Sequence, residues 1–324
     1  MIFLPYIKLI IGLVLLVKCA DWFVEGASNL ARALGVSGLI VGLTVVAFGT
    51  SAPELAVSLS AALSGQNDIC VGNVTGSNLC NTLLILGCVA LFAPLTTEKQ
   101  VIRRDFPFMI IAEAVLVLMT LVPVLVGSSQ LMIYRVEGII LLALILVYLF
   151  KTITDARKTT EKVIITEVFT EGQHEKFKIK DLVYIIVGIA GVVIGGNFVV
   201  DSAVEIATGL GLSTHLIALT IVAVGTSLPE LVTSVMAAKK GETGITIGNV
   251  IGSNIFNVSL ITGATATVCP VAYNVNTMID TICVLAAGIA AYIFVITDNY
   301  LLKRSEGVVL ILGYISFMIY AIVR

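Results

Sequence analysis

Apolar runs of about twenty residues recur from one end of the chain to the other, separated by short polar breaks, and that length matches helices able to cross a hydrocarbon layer. Ten such segments are expected, at 3–31, 38–63, 69–93, 105–127, 133–150, 181–209, 213–238, 245–269, 277–297 and 305–323. The first lacks a basic leader and a small-residue cleavage site and runs on into DWFVEGASNLARALG, so it reads as a retained helix rather than a signal peptide. The longest polar stretch, Lys151 to Lys180, is shorter than ordinary folded domains and reads as a linker. The expected organisation is five helices over 1–150, a linker over 151–180 and five helices over 181–324.

Composition sharpens this pattern. The 324 residues are 58% hydrophobic and only 12% charged, and mean hydropathy is +1.07, which excludes a soluble globular domain. A net charge of −2 by itself says little; membrane lipid is the expected surrounding partner, and no nucleic acid is expected. Lys and Arg cluster in alternate loops: Arg32, then Lys99, Arg103 and Arg104, then seven between Lys151 and Lys180, then Lys239 and Lys240, then Lys303 and Arg304, with only Arg135 in the intervening loops. Cytoplasmic loops retain positive charge, so both termini are expected outside a cell membrane and the 151–180 linker inside. Cys19, Cys70, Cys80, Cys88, Cys269 and Cys283 have no metal or disulfide spacing and read as small buried side chains. His174 and His215 stand alone, which suggests no metal site.

Two stretches break the apolar pattern. AFGTSAPELAVS from Ala47 and AVGTSLPELVTS from Ala223 each place a proline, a glycine, hydroxyls and a glutamate inside a membrane-length segment. GNVTGSNLCN from Gly72 and GNVIGSNIFN from Gly248 form a second pair. Both pairs are 176 residues apart, an offset that also aligns Gly12 with Gly188, Gly35 with Gly211, Ser37 with Ser213 and Gly87 with Gly263. Five spans per half is an odd number, so the second half enters the membrane from the opposite side. The expected fold is an all-α integral membrane protein of ten transmembrane helices, two inverted five-helix repeats with broken core helices. In secondary transporters of this kind the site lies mid-membrane where broken helices meet.

The breaks carry chemistry. Pro53 removes a backbone donor and clashes with the carbonyl of Gly49, so the turn from Ala47 to Thr50 should leave carbonyls without helical partners. In lipid that is tolerated only where backbone faces protein, water or an ion. Glu54 follows, with Thr50 one turn before it on the same face, and Ala223, Thr226, Ser227, Pro229 and Glu230 repeat the arrangement. Ser77 with Asn81, and Ser253 with Asn257, add neutral oxygens at helical spacing. Carbonyls, hydroxyls and two carboxylates form an all-oxygen cage suited to hard cations such as calcium and sodium. A lone proline kink or GxxxG would be packing only, but duplication in register argues for a site. Lys18, Asp21 and Glu25 are spaced to pair along the first helix, and unrepeated Glu113 and Glu137 read as structural.

At these residues the chain resembles the sodium/calcium exchangers of the cation/calcium antiporter superfamily, whose two alpha repeats look like GTSAPE/GTSLPE and GNVTGSNLCN/GNVIGSNIFN here. The short linker resembles the prokaryotic members. The resemblance implies a sodium–calcium antiporter that is not an enzyme, has no cofactor beyond its transported ions and no obligatory protein partner. It further implies calcium on Glu54, Glu230 and the carbonyls of Thr50 and Thr226. Sodium would use the same carboxylates, the carbonyls of Ala47 and Ala223, the hydroxyls of Ser51, Ser77, Ser227 and Ser253, and Asn81 and Asn257. Some relatives, including exchangers that co-transport potassium, carry aspartate where Asn257 stands. A proton/calcium exchanger is the nearest rival, since buried glutamate can carry a proton. An intramembrane hydrolase is disfavoured because neither motif holds a histidine or lysine base.

Overall fold

The computed structural model describes residues 4–125, 130–167, 177–211 and 223–324, with only backbone for 157–167 and 223. The start of the segment expected at 213, with Ser213 and His215, and His174 in the linker lie outside the described residues. The helices are α1 (Leu4–Leu34), α2 (Gly38–Thr50), α3 (Ala52–Leu63), α4 (Asn67–Phe92), α5 (Val101–Leu125), α6 (Arg135–Glu167), α7 (Ile179–Gly209), α8 (Ala223–Gly225), α9 (Leu228–Lys239), α10 (Thr243–Val268), α11 (Val275–Thr297) and α12 (Arg304–Val323).

Among the described residues, α4, α5, α6, α7, α10, α11 and α12 are each long and apolar enough to cross a membrane, and α2 with α3 makes an eighth span bent by 45°. α1, at 31 residues, is also long enough despite its five charges. α8 and α9 repeat α2 and α3 at the offset of 176. One boundary differs from the sequence expectation. α6 does not stop at 150 but runs on to Glu167, through the first half of the expected linker. No glycine or proline interrupts 139–171, so nothing in the sequence ends the helix there.

Four short strands tie the halves together. β1 (Leu95–Thr96) pairs antiparallel with β4 (Leu301–Leu302) at one end of the bundle, and β2 (Leu131–Ile133) with β3 (Val271–Tyr273) at the other. In each pair one strand comes from each repeat, and equivalent strands lie at opposite ends, as inversion requires. At the β1–β4 end, the ammonium of Lys240 lies 2.8 Å from Asp21 and 3.9 Å from Glu25, Lys180 lies 3.6 Å from Glu25, and Ser28 and Arg32 both reach Glu242. The pairing expected along α1 is therefore replaced: the turn after α9 brings Lys240 between the two acids, while Lys18 is exposed. Glu137 is structural as expected, accepting from the backbone of Tyr134 at 3.2 Å in the first turn of α6.

The burial pattern inverts that of a water-soluble protein. Ile10, Val14, Leu146, Ile186 and Leu312 are exposed on the outer surface, whereas Thr50, Glu54, Ser77, Asn81, Glu230, Ser253 and Asn257 are buried. The outer band faces lipid and the polar groups face one another. All six cysteines are free thiols. Close crossings use glycine: a side-chain carbon on Gly195 would lie 2.7 Å from the backbone of Leu16, and one on Gly248 would lie 2.6 Å from the carbonyl of Leu39. These contacts press α7 onto α1 and α10 onto α2.

The α2–α10 crossing gives a direct test. Gly248→Val forces backbone apart and should destabilise the purified protein by about 1–3 kcal/mol or abolish its monodisperse elution. Gly313→Ala, whose added carbon meets Leu83 at an ordinary 3.7 Å, should leave the thermal midpoint unchanged or raise it.

Candidate cation-binding site

The two glutamates sit immediately after the helix breaks. Ser51 and Ser227 occupy the break positions with nearly identical backbone angles, φ −86°, ψ 3° and φ −91°, ψ 6°, and Pro53 and Pro229 fall in the first turn of the following helix, where a missing N–H costs least. The break leaves less backbone free than the sequence suggests: the Ala47 carbonyl accepts from the Ser51 amide at 3.0 Å and, more weakly, from the Thr50 hydroxyl at 3.4 Å.

Every sequence-predicted site residue whose side chain is described lies in this region, and all but Thr226 are buried. The side chain of Ala223 lies outside the described residues. Ser51 donates to Glu230 Oε1 at 3.1 Å, so a hydroxyl of one repeat reaches the carboxylate of the other. Ser77 donates to Glu54 Oε1 at 3.4 Å, and its counterpart Ser253 to Glu230 Oε1 at 3.5 Å. Each glutamate therefore keeps one oxygen partnered by hydroxyls and one, Oε2, that meets no protein donor. Asn81 Oδ1, Asn257 Oδ1 and Ser227 Oγ are likewise buried without a partner.

A set of amides holds this arrangement in place. Asn73 donates to the Glu54 carbonyl at 3.0 Å and to Ser58 Oγ at 2.8 Å; Asn249, its repeat counterpart, donates to the Glu230 carbonyl at 3.4 Å and to Ser234 Oγ at 3.0 Å. Asn81 donates to Asn254 Oδ1 at 3.1 Å and Asn257 to Asn78 Oδ1 at 2.9 Å, two equivalent bonds that each cross between repeats. These bonds turn the NH2 of Asn81 and of Asn257 toward the opposite repeat and leave the Oδ1 of each without a protein partner. Each begins or nearly begins a wide helical turn, Cys80–Ile85 and Phe256–Ile261, of the kind found at functional sites.

Sequence reasoning missed the roles of Asn73, Asn78, Asn249 and Asn254, as well as the wide turns. The signal for the asparagines was present, since all four stand inside the duplicated motifs at the 176-residue offset. Nothing local marks a wide turn. Among the described residues no group of three or more His, Cys, Asp or Glu converges, so the pocket has two carboxylates and otherwise neutral oxygen donors.

The sequence profile of the sodium/calcium exchanger proteins matches residues 4–154 and 180–323, nearly the whole chain. The chain belongs to the sodium/calcium exchanger family. It is thus a multi-pass membrane antiporter for cations and not an enzyme. The sodium/calcium exchanger MaX1 of Methanosarcina acetivorans is 34% identical over 98% of this exchanger and 99% of that protein. The inner membrane protein YrbG of Escherichia coli is 40% identical over 81% of this chain and 79% of its own. A solved structure of the sodium-calcium exchanger NCX_Mj, soaked with zero Na+ and Ca2+, superposes with a TM-score of 0.80 at 28% identity, covering 97% of this chain and 98% of that one.

The asparagine supports can be tested apart from transport. Asn249→Ala leaves Ser234 and the Glu230 carbonyl without their donor and should cost about 1–3 kcal/mol, read as a lowered thermal midpoint in detergent. Asn73→Ala should do the same in the other repeat, whereas Ser60→Ala, at an exposed position, should stay within about 0.5 kcal/mol.

Proposed function

We propose that this exchanger carries calcium against sodium through one shared pocket centred on Glu54 and Glu230. The observation that carries the reading is the set of buried oxygens without protein donors: one from each glutamate, one each from Asn81 and Asn257, and the Ser227 hydroxyl. Two carboxylates out of water attract cations strongly and repel each other, and an unpaired buried charge costs several kcal/mol. One calcium balances both charges. Calcium is bound by the carboxylates with the carbonyls of Thr50 and Thr226. Sodium ions take overlapping positions, using the carboxylates with the carbonyls of Ala47 and Ala223, the hydroxyls of Ser51, Ser77, Ser227 and Ser253, and Asn81 and Asn257. The two cargoes exclude each other, which produces antiport. The names of MaX1 and NCX_Mj, both sodium/calcium exchangers, support sodium as the coupling ion. So does the neutral oxygen set, which a proton would not need.

Access alternates as α1 and α7, packed on each other through glycines, slide past the core formed by α2, α3, α4, α8, α9 and α10. In this reading the β1–β4 end and the 151–180 linker face the cytoplasm and both termini lie outside the cell membrane, an orientation supported by the positive charge gathered in alternate loops. With Asn81 and Asn257 neutral the pocket carries two formal charges, so three sodium ions, the family's implied stoichiometry, make the cycle electrogenic, and among the described residues no third carboxylate joins the pocket to hold potassium.

Reconstituted in liposomes, Glu54→Gln and Glu230→Gln should each abolish sodium-dependent calcium exchange while eluting as folded protein. Near-normal exchange by either variant would remove that glutamate from the site. In the native exchanger an inside-positive potential should accelerate sodium-out, calcium-in exchange, each elementary charge being worth about 2.3 kcal/mol per 100 mV. Replacing potassium with choline should change nothing; voltage-independent exchange or a need for potassium would overturn the charge assignment.

A further inference from the structure

Two carboxylates among the described residues of α5 are buried outside the exchange pocket: Asp105 is paired with Arg104 at 2.8 Å, and Glu113 has no such partner. It sits in the middle of α5, 1% exposed, and neither of its oxygens meets a protein donor. A small cavity with room for about one water-sized sphere lies against it, lined by Thr75 and Asn78 of α4, Thr281 of α11 and apolar side chains including Val74 and Leu116.

The hydroxyls of this cavity have spent their hydrogens elsewhere, and its amide keeps an acceptor lone pair. Thr75 donates to the Val71 carbonyl at 3.0 Å and Thr281 to the Thr277 carbonyl at 2.8 Å, so each hydroxyl spends its single hydrogen on its own helix. Asn78 points its NH2 at the Asn254 carbonyl, 3.4 Å away, and its oxygen accepts from Asn257 at 2.9 Å while keeping a second lone pair. Two hydroxyl oxygens, one amide oxygen and a carboxylate thus line one small space. A bare carboxylate in such a place costs several kcal/mol. Room for the carboxylate is made by Gly288, where a side-chain carbon would lie 2.6 Å from Glu113 Oε2.

We infer that Glu113, Thr75, Asn78 and Thr281 form a second cation site, separate from the exchange pocket, that takes one sodium-sized monovalent ion. One carboxylate balances one positive charge, neutral hard oxygens complete the shell, and the cavity admits an ion of about the size of water. A divalent ion would bring uncompensated charge into the bilayer interior. The site touches the exchange pocket through the Asn78–Asn257 bond, so its occupancy holds Asn257 in the orientation that presents Oδ1 to the pocket.

The test uses sodium alone as the probe, on the purified full-length exchanger in detergent, with choline replacing sodium at constant ionic strength. Glu54→Gln/Glu230→Gln removes both carboxylates of the exchange pocket, yet sodium should still raise its thermal midpoint in a saturable way; adding Glu113→Gln should remove that rise. Gly288→Ala, which keeps the charge but displaces it, should weaken the apparent sodium affinity at least several-fold. A second reading does not require the double variant to fold: native exchanger at saturating calcium should bind one sodium-22 per chain, and none with Glu113→Gln. No sodium-specific effect in either format, a sodium effect that survives Glu113→Gln, or a midpoint that follows pH and not sodium, the mark of a proton on Glu113, would each overturn the inference. The sodium-22 count rests on calcium filling the exchange pocket, whereas the thermal-midpoint results hold whether or not sodium drives calcium transport.

Discussion

Two carboxylates buried in one polar pocket between two repeats constrain most of what surrounds them. Each glutamate is fully enclosed, partnered on one oxygen by hydroxyls and left open on the other. In a low-dielectric interior such a pair is unfavourable without a counter-charge. Both the helix breaks and the polar interior follow from holding the pair there. Proline restarts each helix one residue before the glutamate. The asparagines of the duplicated GNV motif then fasten the glutamate backbone to a neighbouring helix.

The inverted duplication does more than repeat a ligand set. Asn81 bonds across to Asn254, Asn257 across to Asn78, and Ser51 across to Glu230, so neither half builds its half-site alone. The strand pairs at the two ends of the bundle make the same kind of exchange between halves. Close α2–α10 and α1–α7 contacts through glycine remove the side chains that would hold these elements apart. The two junctions differ in kind, however. α1 also reaches the turn after α9 through exposed or half-exposed ion pairs, contacts that water can replace, which suits the element proposed to move.

Much of this was legible in the sequence because membrane insertion writes itself in long apolar runs and because the repeat offset is constant. The glutamates, serines and the asparagines Asn81 and Asn257 were found by that offset, and the described ones fall at one site. Other features depended on contacts that no local pattern encodes. Lys240 reaches Asp21 and Glu25 only because the turn after α9 lands beside α1. Asn73 and Asn249 look like ordinary helix residues until their partners, a carbonyl and a serine on the preceding helix, are placed. α6 ran past its expected end because charge alone does not stop a helix when neither glycine nor proline intervenes. Glu113 read as structural because it has no repeat partner, yet its oxygens meet no donor.

The central claim is that one pocket serves both cargoes in turn, so calcium entry requires sodium exit. The most direct measurement is calcium-45 uptake by proteoliposomes loaded with sodium or with choline and diluted into sodium-free medium, with pH equal across the membrane. The account predicts rapid uptake only in sodium-loaded vesicles, abolished when external sodium removes the gradient. Equal uptake in choline-loaded vesicles, or uptake driven by a pH gradient alone, would contradict it.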